Sequence, residues 1–182
     1  RKEKDEKNIE KEYLIFPRYH QLDAINKLKI NLLKGNINKR YLIQHTTGSG
    51  KSLTIGWLSY QLITLFKNKK STERMYDTII VLTDRKVLDK QLRNTILQLE
   101  QTTGVVNPVT EDSIQLKKFL EEGKSIIIST IQKFPFISDQ ISQFKNKTFA
   151  VIIDEVHSSQ SGRLSGHLVK SLSDKELDEY QE

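Results

Sequence analysis

The sequence lacks cysteine altogether, and its 182 residues include only three prolines, one methionine and one tryptophan. The absence of cysteine excludes disulfides and thiolate metal sites. No apolar run reaches the roughly 18 residues of a membrane-spanning helix, and the charged segment 1–12 lacks the apolar stretch of a signal peptide. We therefore expect a cytoplasmic protein without a membrane partner. Because the single methionine is Met75, we expect Arg1 not to be a natural start and the chain to be a piece of a longer protein.

Basic residues outnumber acidic ones, with 29 Lys and Arg against 23 Asp and Glu and a net charge of +6. This excess suits a polyanionic partner such as nucleic acid, and it is equally explained by ordinary surface charge. The length suits one domain with a substantial core. We expect a charged, solvated leader or linker over 1–15, with a possible helical end, then one domain over 16–172 and the start of a truncated helix over 173–182.

Helical and strand patterns alternate along the chain. Four apolar runs predict buried strands at 41–43, 78–83, 125–130 and 149–153, and loops are predicted at 68–76 and 101–112. This alternation predicts an α/β fold in which helices cover both faces of a parallel sheet. The helices are predicted from Leu22, Ile25, Leu28 and Leu32 (with Gly35 as the end), from Leu58, Leu62, Leu65 and Phe66, from Leu88, Leu92, Ile96 and Leu99, and from Ile114 to Glu122 (with Gly123 as the end).

A glycine-rich turn between the first predicted strand and the following helix carries the strongest functional signal. It matches the phosphate-binding pattern G-x-x-x-x-G-K-[ST], except that His45 stands where the first glycine belongs. Glycines let backbone amides turn towards phosphate oxygens at the positive end of a helix. Lys51 is expected to reach the β- and γ-phosphates and Ser52 to hold Mg²⁺, and the alternative is a turn that binds nothing. The predicted ATP-binding residues of this loop are Thr47, Gly48, Ser49, Gly50, Lys51 and Ser52.

Two adjacent carboxylates, Asp154 and Glu155, directly follow a predicted buried strand. Such a pair is costly there unless a cation uses it. Asp154 is predicted to complete the Mg²⁺ shell, and Glu155 to orient and deprotonate the attacking water. Acidic residues commonly end strands, so the pair alone is a weak signal. Together with the glycine-rich turn it predicts ATP hydrolysis, with Lys51 and Glu155 as the catalytic residues.

These two segments resemble motifs I and II of superfamily 2 helicases and translocases, with Asp154-Glu155-Val156-His157 as a variant of the DEAH box. The resemblance runs from about Phe16 to His167 and implies a RecA-like P-loop NTPase domain that uses ATP and Mg²⁺. Gln21 then looks like the Q motif, whose amide pairs with adenine N6 and N7. The alternative is a surface glutamine at a helix start. Arg18 and Tyr19 are further candidates to stack near the base, whereas Trp57 and His20 are interpreted as packing and surface residues.

A narrower family fits better still, the R (restriction) subunit of type I restriction–modification enzymes. The resemblance implies a double-stranded DNA translocase with a second RecA-like domain and a nuclease domain in the same chain. It also implies modification and specificity subunits as partners. Val156 and Ser158 depart from the Ala and Arg that are more common there. The segments that carry the resemblance are Gln44 to Leu53 (QHTTGSGKSL), Asp84 to Gln91 (DRKVLDKQ), Thr130 to Phe134 (TIQKF) and Asp154 to Gly162 (DEVHSSQSG).

By that resemblance, Arg85 and Thr130 face the DNA backbone, and Lys133 adds to them. A basic residue and a hydroxyl at strand ends are suitable phosphate ligands that position without reading sequence, although each could be an ordinary solvated residue. His157 is expected to sense the nucleotide state, with a structural histidine as the alternative, and Gln160 is a weaker candidate for the same coupling.

Several motifs of the family are missing from the 182 residues. No nuclease constellation precedes Phe16, and nothing after His167 resembles motif III or the arginine-finger motif VI. Since such an arginine is worth on the order of 10³-fold or more in rate, the chain is expected to bind ATP and hydrolyse it slowly. The rival hypotheses are a type III restriction subunit, a DNA repair translocase, an RNA helicase, or a non-hydrolysing, ATP-gated docking module.

Overall fold

A computed structural model of the chain describes residues 2–4, 10–12, 15–37, 39–68, 70–83, 86–100, 102–133, 144 and 147–154. The helices are α1 (Tyr19–Leu33), α2 (Lys51–Ile63), α3 (Lys86–Gln98) and α4 (Ser113–Glu121). The strands are β1 (Lys2–Lys4), β2 (Glu10–Glu12), β3 (Thr78–Thr83), β4 (Val106–Pro108), β5 (Ile126–Thr130) and β6 (Phe149–Asp154), and a short 3-10 helix covers Ile131–Lys133.

Four strands form a parallel sheet in the order β4-β5-β3-β6. The central strands β3 and β5 are buried along their whole length and consist mainly of Ile, Val and Leu. Continuous apolar runs of this kind are typical of parallel strands that are covered on both faces. The predicted α/β fold with helices around a parallel sheet is confirmed.

The two faces of the sheet support two separate apolar clusters. On one face, Ile79 and Val81 of β3 lie in a cluster with buried residues of α1, α2 and α3. On the other face, Ile80 and Leu82 of the same strand lie with Leu116 and Leu120 of α4. The alternation follows from the strand's period of two. Because α1 and α2 lie on the same side, the start of α1 comes next to the turn that precedes α2.

The predicted strand over 41–43 is wrong: this segment pairs with none of the described strands, and Leu42 is 88% exposed. An apolar triplet becomes a strand only when a neighbour satisfies its backbone, and periodicity cannot show whether one is present. The loop predicted over 101–112 contains the short strand β4. Pro108 made this strand hard to recognise in the sequence. Proline is tolerated there because β4 lies at the sheet edge.

The start of the chain and the second helix also differ from expectation. Within the segment predicted as a solvated leader, β1 and β2 form an antiparallel pair, with Lys2 opposite Glu12. The second predicted helix is shorter than its pattern, because α2 ends at Ile63 and Leu65 lies beyond it. The truncated helix predicted over 173–182 lies outside the described residues.

Candidate nucleotide-binding site

Three parallel strands end side by side at one edge of the sheet. In the register of the sheet, Thr83 of β3 lies opposite Thr130 of β5 on one side and Asp154 of β6 on the other. In open α/β sheets, ligands bind in the crevice outside the carboxyl ends of the strands. This edge is therefore where the chemistry of the domain is expected, and Asp154 is the carboxylate that the sheet places there.

The glycine-rich turn before α2 has the backbone that phosphate binding requires. Gly48 and Gly50 have φ angles of +76° and +86°, which only glycine adopts at little cost. Ser49 N donates to Thr46 O at 3.2 Å, and Gly50 O accepts from Leu53 N at 3.0 Å at the start of α2. A turn of this kind leads backbone N–H groups towards a common centre at the positive end of the helix.

The two predicted motifs meet in space. Lys51 Nζ lies 3.6 Å from Asp154 Oδ1, which is an ion pair although it is too long for a hydrogen bond. The Asp154 side chain is 8% exposed, whereas that of Lys51 is 40% exposed. A buried carboxylate therefore faces a cation that can still reach a ligand from solvent. This arrangement fits Mg-ATP, since Asp154 offers the hard oxygen that Mg²⁺ prefers and Lys51 offers the charge for phosphate.

Mg²⁺ sites of nucleotide-binding enzymes need few protein ligands, because water and phosphate oxygens supply the rest. The described part of the chain holds no group of three or more His, Asp or Glu side chains able to bind a metal. Ser52, the other predicted ligand, is half-buried in the first turn of α2. Ser52 and Asp154 thus remain the predicted pair.

Gln21 is buried, with 1% of its surface exposed, and its amide connects α1 to the glycine-rich turn. Its Oε1 accepts from Arg18 N at 2.8 Å, which caps the first turn of α1. Its Nε2 donates to Gly50 O at 3.0 Å and to Ser49 O at 3.4 Å. Because it is buried and hydrogen-bonded in this way, Gln21 is not the surface residue of the alternative interpretation.

His20, interpreted as a surface residue without function, is exposed as expected, but it also lies at the phosphate loop. Its Nε2 lies 3.1 Å from Ser49 O, so this nitrogen must carry the proton and donate. Its ring meets the ring of His45 edge to face, with 5.6 Å between centroids. Tyr19, the stacking candidate beside it, is 84% exposed. No pattern in the sequence indicates the contact of His20 with Ser49, because α1 and the loop are far apart along the chain.

Two residues at the site carry buried hydroxyls: Ser49, which the sequence predicts as an ATP-binding residue, and Thr83, which it does not. Thr83 Oγ1 and Ser49 Oγ have no hydrogen-bond partner among the residues that the structure describes. Ser49 belongs to the loop and Thr83 ends the strand beside Asp154. A buried hydroxyl without a partner costs about 1–3 kcal/mol, so both are positions that a bound ligand or its water could satisfy. The threonine at the end of the TIIVLT strand was the available signal for Thr83.

Two of the candidate DNA ligands, Thr130 and Lys133, lie among the described residues. Thr130 is buried at the end of β5. Lys133 Nζ donates to Val109 O at 3.0 Å and so ties the 3-10 helix to the segment after β4. Arg85 lies outside the described residues, as do Glu155, His157 and Gln160.

Comparison with known proteins is consistent with this geometry. Residues 20–177 match the model of a family described as SWI2/SNF2 ATPase. The chain belongs to the SWI2/SNF2 ATPase family. It is also 34% identical over 137 residues to the C-terminal part of a type I restriction enzyme endonuclease subunit of Mycoplasma pneumoniae, covering 71% of this chain and 61% of that protein. The endonuclease subunit of the type I enzyme HindI of Haemophilus influenzae is 29% identical over 154 residues, 79% of this chain and 14% of the relative.

The structural comparison agrees on the fold of this SWI2/SNF2 ATPase domain. The UvsW helicase of bacteriophage T4 superposes with a TM-score of 0.55 at 17% identity, covering 87% of this chain and 49% of the helicase. Together these likenesses confirm the predicted resemblance to superfamily 2 motors and to the endonuclease subunit of type I restriction enzymes. The chain spans 61% of one of these relatives and 14% of the other. Among the described residues, no helix is long and apolar enough to cross a membrane.

Proposed function

We propose that this chain is the ATP-binding half of an ATP-dependent double-stranded DNA translocase, the motor of a type I restriction endonuclease. The observation that carries the proposal is the ion pair of Lys51 and Asp154, which joins the phosphate loop to the end of β6. The likeness to type I restriction endonuclease subunits supports the choice of system. We further propose that 16–172 forms the first RecA-like domain of a longer cytoplasmic protein.

In this proposal the ion pair is replaced when ATP binds. The Lys51 ammonium turns from Asp154 to the β- and γ-phosphates, and the carboxylate becomes free to hold the metal together with the Ser52 hydroxyl. Mg²⁺, when bound, neutralises charge on the phosphate oxygens. Glu155, the next residue along the chain, orients the attacking water and takes its proton.

Adenine recognition is proposed for Gln21. Its amide is held against the loop by Gly50 and against α1 by Arg18. Reading the base therefore requires the amide to exchange a loop carbonyl for adenine, or to share its bonds with it. Either way, occupation of the base site and the position of the loop depend on the same side chain.

Contact with DNA is proposed for Arg85, Thr130 and Lys133, and coupling to the nucleotide for His157 and Gln160. The sheet supports this arrangement, since Thr130 and Asp154 both lie level with Thr83 at one edge. A change in the position of the nucleotide can therefore be transmitted through two neighbouring strands to a residue that binds the DNA backbone. The partners proposed for the full-length protein are duplex DNA, its own second RecA-like and nuclease domains, and modification and specificity subunits.

Phosphate release by the full-length protein tests this function. Turnover is expected to rise with duplex DNA and not with RNA, and Lys51→Ala is expected to abolish it. Displacement of a third strand from a DNA triplex then tests translocation. Stimulation by RNA alone would identify an RNA helicase, and unchanged biological activity of Lys51→Ala would identify the non-hydrolysing docking module.

A further inference from the structure

The rings of His20 and His45 pack edge to face beside the phosphate loop. His20 comes from the first turn of α1, and His45 comes from the segment that leads into the turn. Their rings are 5.6 Å apart and inclined by 65°. His20 donates to the loop at Ser49 O, whereas the buried Nε2 of His45 has no partner among the described residues. His45 also occupies the position where the phosphate-binding pattern has glycine.

The charged surroundings of His45 oppose a proton on its ring. Burial lowers the pKa of His45 below its usual 6.5, and the neighbouring His20 and the charge of Lys51 lower it further. The described titratable groups that act on it are thus His20 from α1 and Lys51 from α2. Asp154 enters only through its ion pair with Lys51. These surroundings therefore favour the neutral form of His45.

We propose that His45, braced by His20, is a further nucleotide-binding residue whose ring takes up a proton when a triphosphate enters the phosphate loop. The inference rests on the proposed ATP binding. The protonated ring adds a positive charge next to Lys51 that is absent from the empty site. Glycine at this position in the common pattern provides no such charge.

Lys51 links His45 to the phosphates. A ring close enough for the ammonium to influence its charge is also close enough to feel the phosphates that the ammonium binds. A triphosphate carries several negative charges, so its arrival reverses the sign of the local field and favours imidazolium. Protonation gives the ring a second N–H donor, so that both ring nitrogens donate. Nε2, which has no partner among the described residues, then needs an acceptor.

The direction of the pH dependence follows from linkage. The pKa of His45 is higher with the triphosphate than without it, so binding takes up a proton between these two pKa values. ATP therefore binds more tightly below the pKa of the free site, and this advantage is lost as the pH rises through the pKa of the complex. A gain of about three- to tenfold from about pH 8 to about pH 5.5 is expected.

Calorimetry of Mg-ATP binding in buffers of different ionisation enthalpy measures the proton directly. At about pH 6, the wild-type chain is expected to take up a fraction of a proton more than His45→Gly. That variant has the strict form of the pattern, and titration of ATP itself cancels between the two proteins. His45→Gln provides a second neutral side chain in case the glycine variant does not fold.

A second measurement uses the wild-type chain alone. With only four histidines in the sequence, the ring signals of His45 can be followed by NMR as a function of pH, and its midpoint is expected to move upward on addition of Mg-ATP. ATP binding with equal proton uptake in all three proteins, or an unmoved midpoint, would overturn this inference and leave the proposed function intact. Absence of any ATP binding would overturn both.

Discussion

Gln21 Nε2 lies where a side chain on Gly50 would have to be placed. The amide nitrogen donates to Gly50 O at 3.0 Å, and a Cβ built on Gly50 would lie 2.7 Å from the same atom. The close approach of α1 to the phosphate loop therefore depends on a residue without a side chain. Gly48 offers a contrast, because it has a similar φ and nothing within 4 Å of its Cβ position.

This contrast makes a prediction for two alanine variants. Gly48→Ala should lower the free energy of unfolding only by the strain of a positive φ, about 1–2 kcal/mol. Gly50→Ala should cost clearly more, because Gln21 must also leave its position and give up bonds to the loop. Urea unfolding measures both. In a Gln21→Ala background the two penalties should become similar, and equal penalties in the wild-type background would contradict the account.

Gln21→Ala is predicted to lower the preference for ATP over GTP. Guanine presents an acceptor where adenine presents the N6 donor, so mismatch with the amide costs about 1–3 kcal/mol, or about 5- to 150-fold in binding. Because the amide also holds Ser49 and Gly50, the variant should in addition bind both nucleotides somewhat more weakly. Competition between ATP and GTP separates the two effects. A preference that survives in the variant would place adenine recognition elsewhere.

The buried hydroxyl of Tyr76 predicts a loss of stability in alkali. Burial, with a smaller contribution from Tyr41, raises the pKa of Tyr76 from 10.0 to about 12. The unfolded chain therefore loses this proton first, so the stability contribution is complete below about pH 10 and disappears as the pH rises to about 12. Tyr76→Phe should flatten the pH dependence of the urea midpoint in this window. Part of the slope should remain, because burial also raises the pKa of Tyr60 to about 12.

Binding of duplex DNA to the chain is predicted to be weak and strongly dependent on salt. Contact with about three phosphates gives a log–log slope near −2.7, and Arg85→Ala should reduce its magnitude by about 1. Lys133→Ala serves as the comparison. Because its amine also binds Val109 O, this change should lower the melting temperature as well as reduce the slope. Affinity independent of salt, or preference for one sequence, would exclude contact with the backbone alone.

Local patterns predicted the elements whose partners are close in sequence or whose burial is complete. The strand over 78–83 was predicted with its observed bounds because it is apolar throughout and buried on both faces. The helix after Asp112 begins one residue before the predicted Ile114, since the Asp112 carboxylate accepts from Ile114 N and Gln115 N and caps it. Segment 41–43 failed because its state depends on a neighbour, which its own residues do not encode.

The residues of the candidate site fall into the same two groups, those that short motifs predict and those that they do not. Short motifs predicted the loop glycines, Lys51 and Asp154, because each motif specifies their chemistry. The fold brings Lys51 and Asp154 together. The contact of His20 with the loop and the position of Thr83 beside Asp154 were not found, since both depend on segments that are distant along the chain. For Gln21 a motif indicated a role in the site, but only the structure shows its bonds to the loop.

Calorimetric titration of the chain with Mg-ATP, compared with Lys51→Ala, is the most direct test of the central claim. Loss of charge-assisted bonds of about 1.5–3 kcal/mol should weaken binding about 10- to 100-fold. Lys67→Ala is the matched control, because Lys67 pairs with Glu73 on the surface beyond the other end of α2. The account predicts tight binding by wild type and Lys67→Ala and weak binding by Lys51→Ala. Equal affinities of all three proteins, or no binding by any, would contradict it.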